Sequence, residues 1–297
     1  MGNQNRAAQF RELHDRRPLV LPNAWDAASA RVLELAGAAA IGTTSAGVSW
    51  TLGRADGEQL RRDEMLEAIA RIVRAVGVPV TADVEGGYGD GSADAVDETV
   101  RALVNLGAAG INLEDSSSLT KQLLSPSVHA QRLAAARAAG GDLVINARID
   151  VFLFAVGTPE TRIGETVRRA ASYRAAGADC IFVPGVTDPA TIAALVRAIE
   201  LPVNIMAQPG APSVSELGRL GVARVSVGPL IAQAALAATL GVARTLLEQG
   251  TYGRPEELLS FDIANALFDP ELASGAGTLE HAAAHDSDAQ ARSAAVH

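Results

Sequence analysis

Cysteine is all but missing from this 297-residue chain: Cys180 stands alone, so no disulfide can close within it. A reducing, cytoplasmic setting is the expectation. Positive charge is also short. The formal net charge is -9, the pI is about 5.1 and no basic stripe is visible, which removes nucleic acid as an expected partner. No run reaches the roughly 18 apolar residues of a membrane span, so no membrane partner is expected. The opening MGNQNRAAQFRELHDRRP lacks the apolar core of a signal peptide, and Arg6 stands where a myristoylation site needs Ser or Thr. A Gly-x-Gly-x-x-Gly turn is absent after the first apolar run, where LPNAWDAASA is found instead; this argues against a doubly wound dinucleotide fold. The acidic total leaves an anionic substrate open, because a bound metal or one arginine inverts the local field.

What is present is apolar and repetitive. Apolar residues make up 48%, enough for a sizeable core. One phrase recurs as ARVLELAGAAAIGTTS, VRALVNLGAAGINLED, AASYRAAGADCIFVPG and SELGRLGVARVSVG. Each is a helical pattern, a glycine placed for a left-handed helix end, and an apolar run that reads as a parallel strand buried on both faces. Eight such runs, at 19–21, 40–43, 78–82, 110–113, 143–147, 180–183, 203–206 and 225–227, alternate with helical patterns such as 63–76, 93–106, 128–139, 160–176 and 189–199. Eight βα units argue for an α/β TIM-type (β/α)8 barrel, one domain over residues 1–270. A long helical pattern at 230–248 follows, then an extra C-terminal one near 254–267. Residues 271–297 turn to Ala, Ser and Gly and read as a flexible tail; His281, His285 and His297 there are taken as chance enrichment.

A barrel of this kind carries its site at the C-terminal strand ends. Those ends supply Asn23, Trp25 and Asp26; Thr43, Thr44 and Ser45; Asp83 and Glu85; Asn112, Glu114 and Asp115; Asn146, Arg148 and Asp150; and Asn204. Side chains two apart share a strand face, so Asp83 pairs with Glu85 and Asn112 with Glu114. Three carboxylates in one mouth repel each other unless a hard divalent cation joins them, and Mg²⁺ suits an all-oxygen set with few direct ligands. The alternative is that they cap helices or pair with arginines; Asp115 reads as such a cap. Arg148 suits a carboxylate or an enolate oxygen, or else a plain ion pair with Asp150. The stretch GTTSAGVS offers hydroxyl and N–H groups to a carboxylate or phosphate. Cys180, inside a strand, reads as packing.

TADVEGGYGD, GINLEDS, NARIDVF and AGADCIFVPG, in this order and spacing, resemble the isocitrate lyase/phosphoenolpyruvate mutase superfamily, from about residue 21 to 267. The resemblance implies a TIM-like barrel whose last helix, matched here by the extra one near 254–267, is exchanged between subunits of a homodimer or homotetramer. It implies Mg²⁺, with Mn²⁺ as a substitute, a small-molecule oxo-acid substrate, and C–C or P–C chemistry beside a carboxylate. Carried over residue by residue, Asp83 contacts the metal most directly, Asp56 holds a metal-bound water, and Glu85 and Glu114 complete the metal shell. Arg148 binds substrate, Thr44, Ser45 and Ala46 hold its carboxylate, and Trp25 packs over it. Asn204 is added to the substrate-binding set from its place at the end of the seventh strand.

Two departures shape the expected chemistry. Glu85 stands where the family usually has a second Asp. The stretch EDSSSLTKQLLSPS has neither the Cys nor the His of the lyase Lys-Lys/Arg-Cys-Gly-His loop, which argues against standard isocitrate or methylisocitrate cleavage. The expected activity is a Mg²⁺-dependent, lyase-like C–C bond cleavage or formation on a small α-keto or 2-hydroxy acid through a metal-stabilised enolate. Arg148, Glu114 and Lys121 are its catalytic candidates; Lys121, Tyr88 or a metal-bound water are candidates for the general acid, and 116–126 is the lid. P–C bond chemistry and a non-catalytic keto-acid-binding barrel are the alternatives.

Overall fold

The repeat glycines end helices as their spacing predicts: Gly37, Gly107, Gly177 and Gly221 take φ of 92°, 94°, 102° and 88°. The computed structural model describes residues 3–15, 18–117, 120–252 and 259–269, so the expected tail at 271–297 and part of the extra helix at 254–267 lie outside the described residues. The chain order is α1 (Asn3–Leu13), β1 (Leu19–Leu21), β2 (Asn23–Ala24), α2 (Ala27–Leu35), β3 (Ile41–Thr43), α3 (Ser45–Thr51), α4 (Arg62–Ala75), β4 (Val80–Asp83), α5 (Ala93–Leu106) and β5 (Gly110–Glu114). It continues with α6 (Pro126–Gly140), β6 (Val144–Arg148), α7 (Pro159–Ala175), β7 (Cys180–Val183), α8 (Pro189–Ala198), β8 (Val203–Met206), α9 (Val214–Arg219), β9 (Arg224–Ser226), α10 (Leu230–Arg244) and α11 (Phe261–Ala266).

The strands form one parallel sheet in the order β1-β9-β8-β7-β6-β5-β4-β3-β2. The two ends of that order are halves of a single stave. Pro22 has no N–H to give a ladder and splits it: β1 pairs with β9 through Leu19 and Arg224, while β2 pairs with β3 through Asn23 and Gly42. The eight expected runs are therefore eight staves of a TIM-type barrel, the first of them broken in two.

The helical layer buries Ile111, Leu113, Ile145, Ile181, Val203 and Ile205 behind the sheet. Helix α1, which the sequence pattern did not reveal, closes the N-terminal end. Its Phe10 is fully buried against Leu19, Leu21, Ala40, Ala109 and Val144. Gly110 makes this approach feasible: a Cβ there would lie 2.8 Å from the Val144 carbonyl oxygen and 2.9 Å from the Phe10 ring.

Helix α10 and the π-turn that prolongs it, Thr245–Gln249, run almost wholly exposed; Ala232 is the one buried residue among them. Leu236, Leu240 and Leu247 are 56%, 53% and 83% exposed. Against the expectation from sequence, this helix is long and apolar enough, by length and composition, to cross a membrane, with a mean hydropathy of 1.6. On the barrel wall an apolar groove of about 440 Å³ lies open, lined by Leu13, Pro18, Val20, Leu33 and Ala36. A parallel sheet normally covers such a face with a helix.

Candidate active site

The parallel register sets the chemistry at the mouth. Glu114 and Arg148 are paired positions on β5 and β6, as are Asp83 and Asn112 on β4 and β5. Arg148 Nη1 lies 2.7 Å from Glu114 Oε2, and Arg148 Nε donates to Asp150 Oδ1 at 2.6 Å. Ser116 Oγ donates to Asp150 Oδ2 at 2.6 Å and lies 3.4 Å from Glu114 Oε1. Glu114, Arg148, Asp150 and Ser116 thus form a closed ring. Arg148, at the C-terminal end of β6, makes the ion pair with Asp150 that its sequence position allows, and a second one with Glu114.

Asp115 anchors this ring from below and caps no helix; Ser125 caps α6 by accepting from Val128 N–H. The fully buried Asp115 accepts from Asp150 N–H at 2.9 Å, from Arg169 Nη1 at 2.9 Å and from Tyr173 OH at 2.8 Å. Arg169 and Tyr173 sit in the middle of α7, where nothing in the sequence separates them from ordinary helix-surface residues.

Asp83 is engaged by Ser45 and Thr43. Its Oδ2 accepts from Ser45 N–H at 3.2 Å and its own N–H donates to Thr43 Oγ1 at 2.9 Å. The Ser45 side chain is a further hydrogen-bonding neighbour of this carboxylate. Ser45 and Ala46 begin the short helix α3, with Thr44 before it; all three are buried. Trp25 packs on this helix and lines a cavity of about 220 Å³ with Val48, Leu52 and Ala68, between α2, α3 and α4.

Glu85 is committed on both sides. Tyr88 OH donates to its Oε1 at 2.9 Å and Glu58 N–H to its Oε2 at 2.7 Å. Asp56 stands exposed on the neighbouring segment. Asn204 is fully buried inside the barrel, bonded to Ser226, beside Arg224 in the ladder. Arg224, which sequence reasoning missed, is also fully buried and donates to Asn112 Oδ1 at 3.2 Å; a charged residue inside the apolar run of the last stave was its only signal. Lys121 is exposed, with φ of 54°, on a hairpin closed by the Ser116–Leu123 bridge. It is the only lysine in the chain.

Acids crowded out of water resist ionisation. Burial, then Asp56 and Asp83, push Glu85 up to about 8. Burial pushes Glu114 up to about 8 as well, with Arg148 opposing and Asp150 and Asp83 adding. Asp83 is raised by burial, against Arg148 and the Ser45 N–H. Burial works against the charge on Arg148, but Glu114, Asp150 and Asp83 outweigh it and hold the guanidinium charged more firmly than usual.

One cation therefore faces a surplus of carboxylates. Among the described residues no three acids or histidines converge into a closed metal cage. The donors fit an ion of the Mg²⁺ type, which keeps several waters and takes one or two carboxylates. Asp83, at the end of β4 with Ser45 as its hydrogen-bonding neighbour, could be the direct ligand. Glu114 and Glu85, already bonded to protein donors, are placed to hold the ion's waters.

A family model described as phosphoenolpyruvate phosphomutase matches residues 10–247. The chain belongs to this family. It lies within the isocitrate lyase/phosphoenolpyruvate mutase superfamily. The uncharacterized protein Rv1998c of Mycobacterium tuberculosis is 39% identical over 238 residues, 80% of this chain and 88% of that one. The 2,3-dimethylmalate lyase of Eubacterium barkeri is 34% identical over 190 residues, 60% of this chain and 63% of the lyase. Among solved structures, a Burkholderia cenocepacia J2315 protein described as a phosphonomutase has 45% identity and a TM-score of 0.78, covering 81% of this chain and 99% of that one. A phosphonopyruvate hydrolase complexed with oxalate and Mg²⁺ has 25% identity and a TM-score of 0.80, covering 92% of this chain and 96% of the hydrolase.

Proposed function

We propose that this protein is a Mg²⁺-dependent enzyme that breaks or forms a C–C bond in a small 2-oxo or 2-hydroxy carboxylic acid. The observation that carries the reading is a buried carboxylate, Asp83, under the charge of an arginine already fixed by Glu114 and Asp150 at the same mouth. When bound, the divalent ion supplies Lewis-acid stabilisation of charge developing on the substrate's oxo oxygen. Arg148 shares that charge without reorganising, because Asp150 and Glu114 hold its plane before substrate arrives. The Ser45 N–H and side chain lie beside Asp83 and, with Thr44 and Ala46 on the same turn, orient the substrate's carboxylate. Glu114, bonded to Arg148, is positioned to hold a proton or to accept one from the reacting carbon's side. The hairpin carrying Lys121 closes over the mouth and excludes water.

P–C bond chemistry is the second reading, favoured by the family model and by the likeness to the phosphonopyruvate hydrolase. A Mg²⁺-dependent screen over oxaloacetate, 2-alkylmalates, methylisocitrate and phosphonopyruvate, followed for oxo-acid products and for phosphate, tests both. Turnover of a carbon substrate without phosphate release supports the C–C reading; phosphate release supports the second. Metal-dependent binding with no turnover across the panel supports a binding barrel instead.

The same reading includes an oligomer. The exposed apolar face of α10 and the uncovered groove over β1 complement each other, and exchange of this helix between two copies buries both.

A further inference from the structure

The segment from residue 53 to 60 crosses the rim of the barrel and carries Asp56. Asp56 makes no hydrogen bond or ion pair of its own among the described residues, so its place over the mouth is inherited from that segment. Two bonds fasten the segment to the 85–88 turn, and a third braces that turn. Glu58 N–H donates to Glu85 Oε2 at 2.7 Å, Tyr88 OH donates to Glu85 Oε1 at 2.9 Å, and Tyr88 N–H donates back to Glu58 Oε1 at 2.8 Å. The lacing is reciprocal: each loop gives the other a backbone N–H and a carboxylate.

The backbone is bent to make it. Glu58, Glu85 and Tyr88 hold φ of 53°, 48° and 63°, a region non-glycine residues enter at a cost and keep only where the surroundings over-determine it. Gly86 leaves the necessary room. A Cβ there would stand 3.2 Å from both Glu58 Oε1 and Arg132 Nη2. Arg132 is 3% exposed, its Nε has no hydrogen-bond partner among the described residues, and Glu58 is the first of the carboxylates whose charge acts on it. It faces Glu58 across Gly86, a buried cation opposite the carboxylate that receives Tyr88. Glu85 also explains its own departure from the family pattern: an Asp at this place would fall one methylene short of the Glu58 N–H and the Tyr88 hydroxyl.

We propose that Glu58, acting through Glu85 and Tyr88, is a positioning residue that fixes Asp56 over the metal-binding mouth. This rests on the reading of Asp56 and Asp83 as metal-shell acids given above. Glu58 itself touches neither substrate nor metal.

The test is a double-mutant cycle with Mn²⁺ alone as the probe, its dissociation constant measured by calorimetry for the wild type, Asp56→Asn, Glu58→Ala and the double variant. Loss of an outer-shell support weakens metal affinity by about 10-fold or more. Each single variant is expected to show a loss of that order, and the double variant no more than Asp56→Asn alone. Hydrogen exchange at the Tyr88 amide and across 53–60 is expected to quicken in Glu58→Ala, and Glu58→Gln, which keeps an acceptor for the Tyr88 N–H, to recover most of the affinity. If Glu58→Ala does not fold, Gly86→Ala, which drives a methyl between Glu58 and Arg132, takes its place with the same expectations. The inference is overturned if Asp56→Asn weakens binding while the clasp variant leaves it unchanged, or if the two losses add in full. A silent Asp56→Asn overturns the reading of Asp56 itself, and the inference with it.

Discussion

Arg148 meets Glu114 at 2.7 Å because the parallel register of β5 and β6 sets the two residues side by side. The same guanidinium reaches Asp150 with its Nε, so two carboxylates fix its plane. Arg148→Lys keeps the charge and loses the fork. We expect the variant to fold and its kcat to fall by about 100-fold or more, the scale seen when one preorganised charge-stabilising donor is removed. Arg148→Met removes the cation that both Glu114 and Asp150 face and is expected to lower stability by roughly 3 kcal/mol, read by urea denaturation.

Exchange of α10 predicts an oligomer that depends on its apolar face. Leu240→Glu together with Leu247→Glu places charge on residues 53% and 83% exposed in the single chain, so the monomer has no reason to unfold. Light scattering coupled to size exclusion is expected to show the wild type as a dimer or tetramer and the variant as a monomer. A monomeric wild type at micromolar concentration would remove the exchanged helix from the account.

Lid closure has a built-in reporter. Lys121 is the chain's only lysine and is exposed on its hairpin, so an amine-directed reagent modifies that side chain and the N-terminus alone. Mg²⁺ with oxalate is expected to slow Lys121 labelling several-fold while the N-terminus reacts unchanged. Equal rates with and without the ligand would show that this hairpin does not close.

Much of the frame was legible in the sequence, because helix-ending glycines and apolar runs are local signals. Gly37, Gly107, Gly177 and Gly221 mark helix ends, and the run at each stave gave the barrel. Three features were not legible. Pro22 divides the first stave only because its two halves face different neighbours, which is a property of closure. Helix α1 carries one decisive residue, Phe10, whose partners lie in β1, β5 and β6. Helix α3 hides in GTTSAGVS, a stretch whose composition fits a loop equally well. The acids at the strand ends are visible in the sequence, but their partners are not. The anchoring by Asp115 and the clasp at Glu85 depend on Arg169, Tyr173, Glu58 and Tyr88, residues brought in from distant segments.

Two buried histidines give the fold an acid limit. Burial, then Arg224, lower His14 to about 4, against the Phe10 carbonyl and Asp179. Burial, then Arg132 and Arg169, lower His129 well below its ordinary value. Both fold as neutral rings, so the unfolded chain binds protons that the folded chain refuses. Both contributions are intact above pH 6.5 and are lost as pH falls below it, that of His14 through the window from about 6.5 to about 4, each histidine costing about 1.4 kcal/mol per pH unit at most. His129→Phe, which keeps the ring against Tyr173, is expected to flatten the fall of the melting temperature between pH 6.5 and 5. An unchanged slope would place the acid limit elsewhere.

The account turns on Asp83 as the carboxylate through which a divalent ion and an oxo-acid are held together. Calorimetric titration of oxalate into the wild type and into Asp83→Ala, each with and without Mg²⁺, measures this directly. Oxalate is expected to bind the wild type only when Mg²⁺ is present, and Asp83→Ala to weaken that binding by at least about 100-fold, beyond the usual loss from an outer-shell partner, with its fold intact by circular dichroism. Oxalate binding that ignores Mg²⁺, or that survives Asp83→Ala unchanged, would contradict the account.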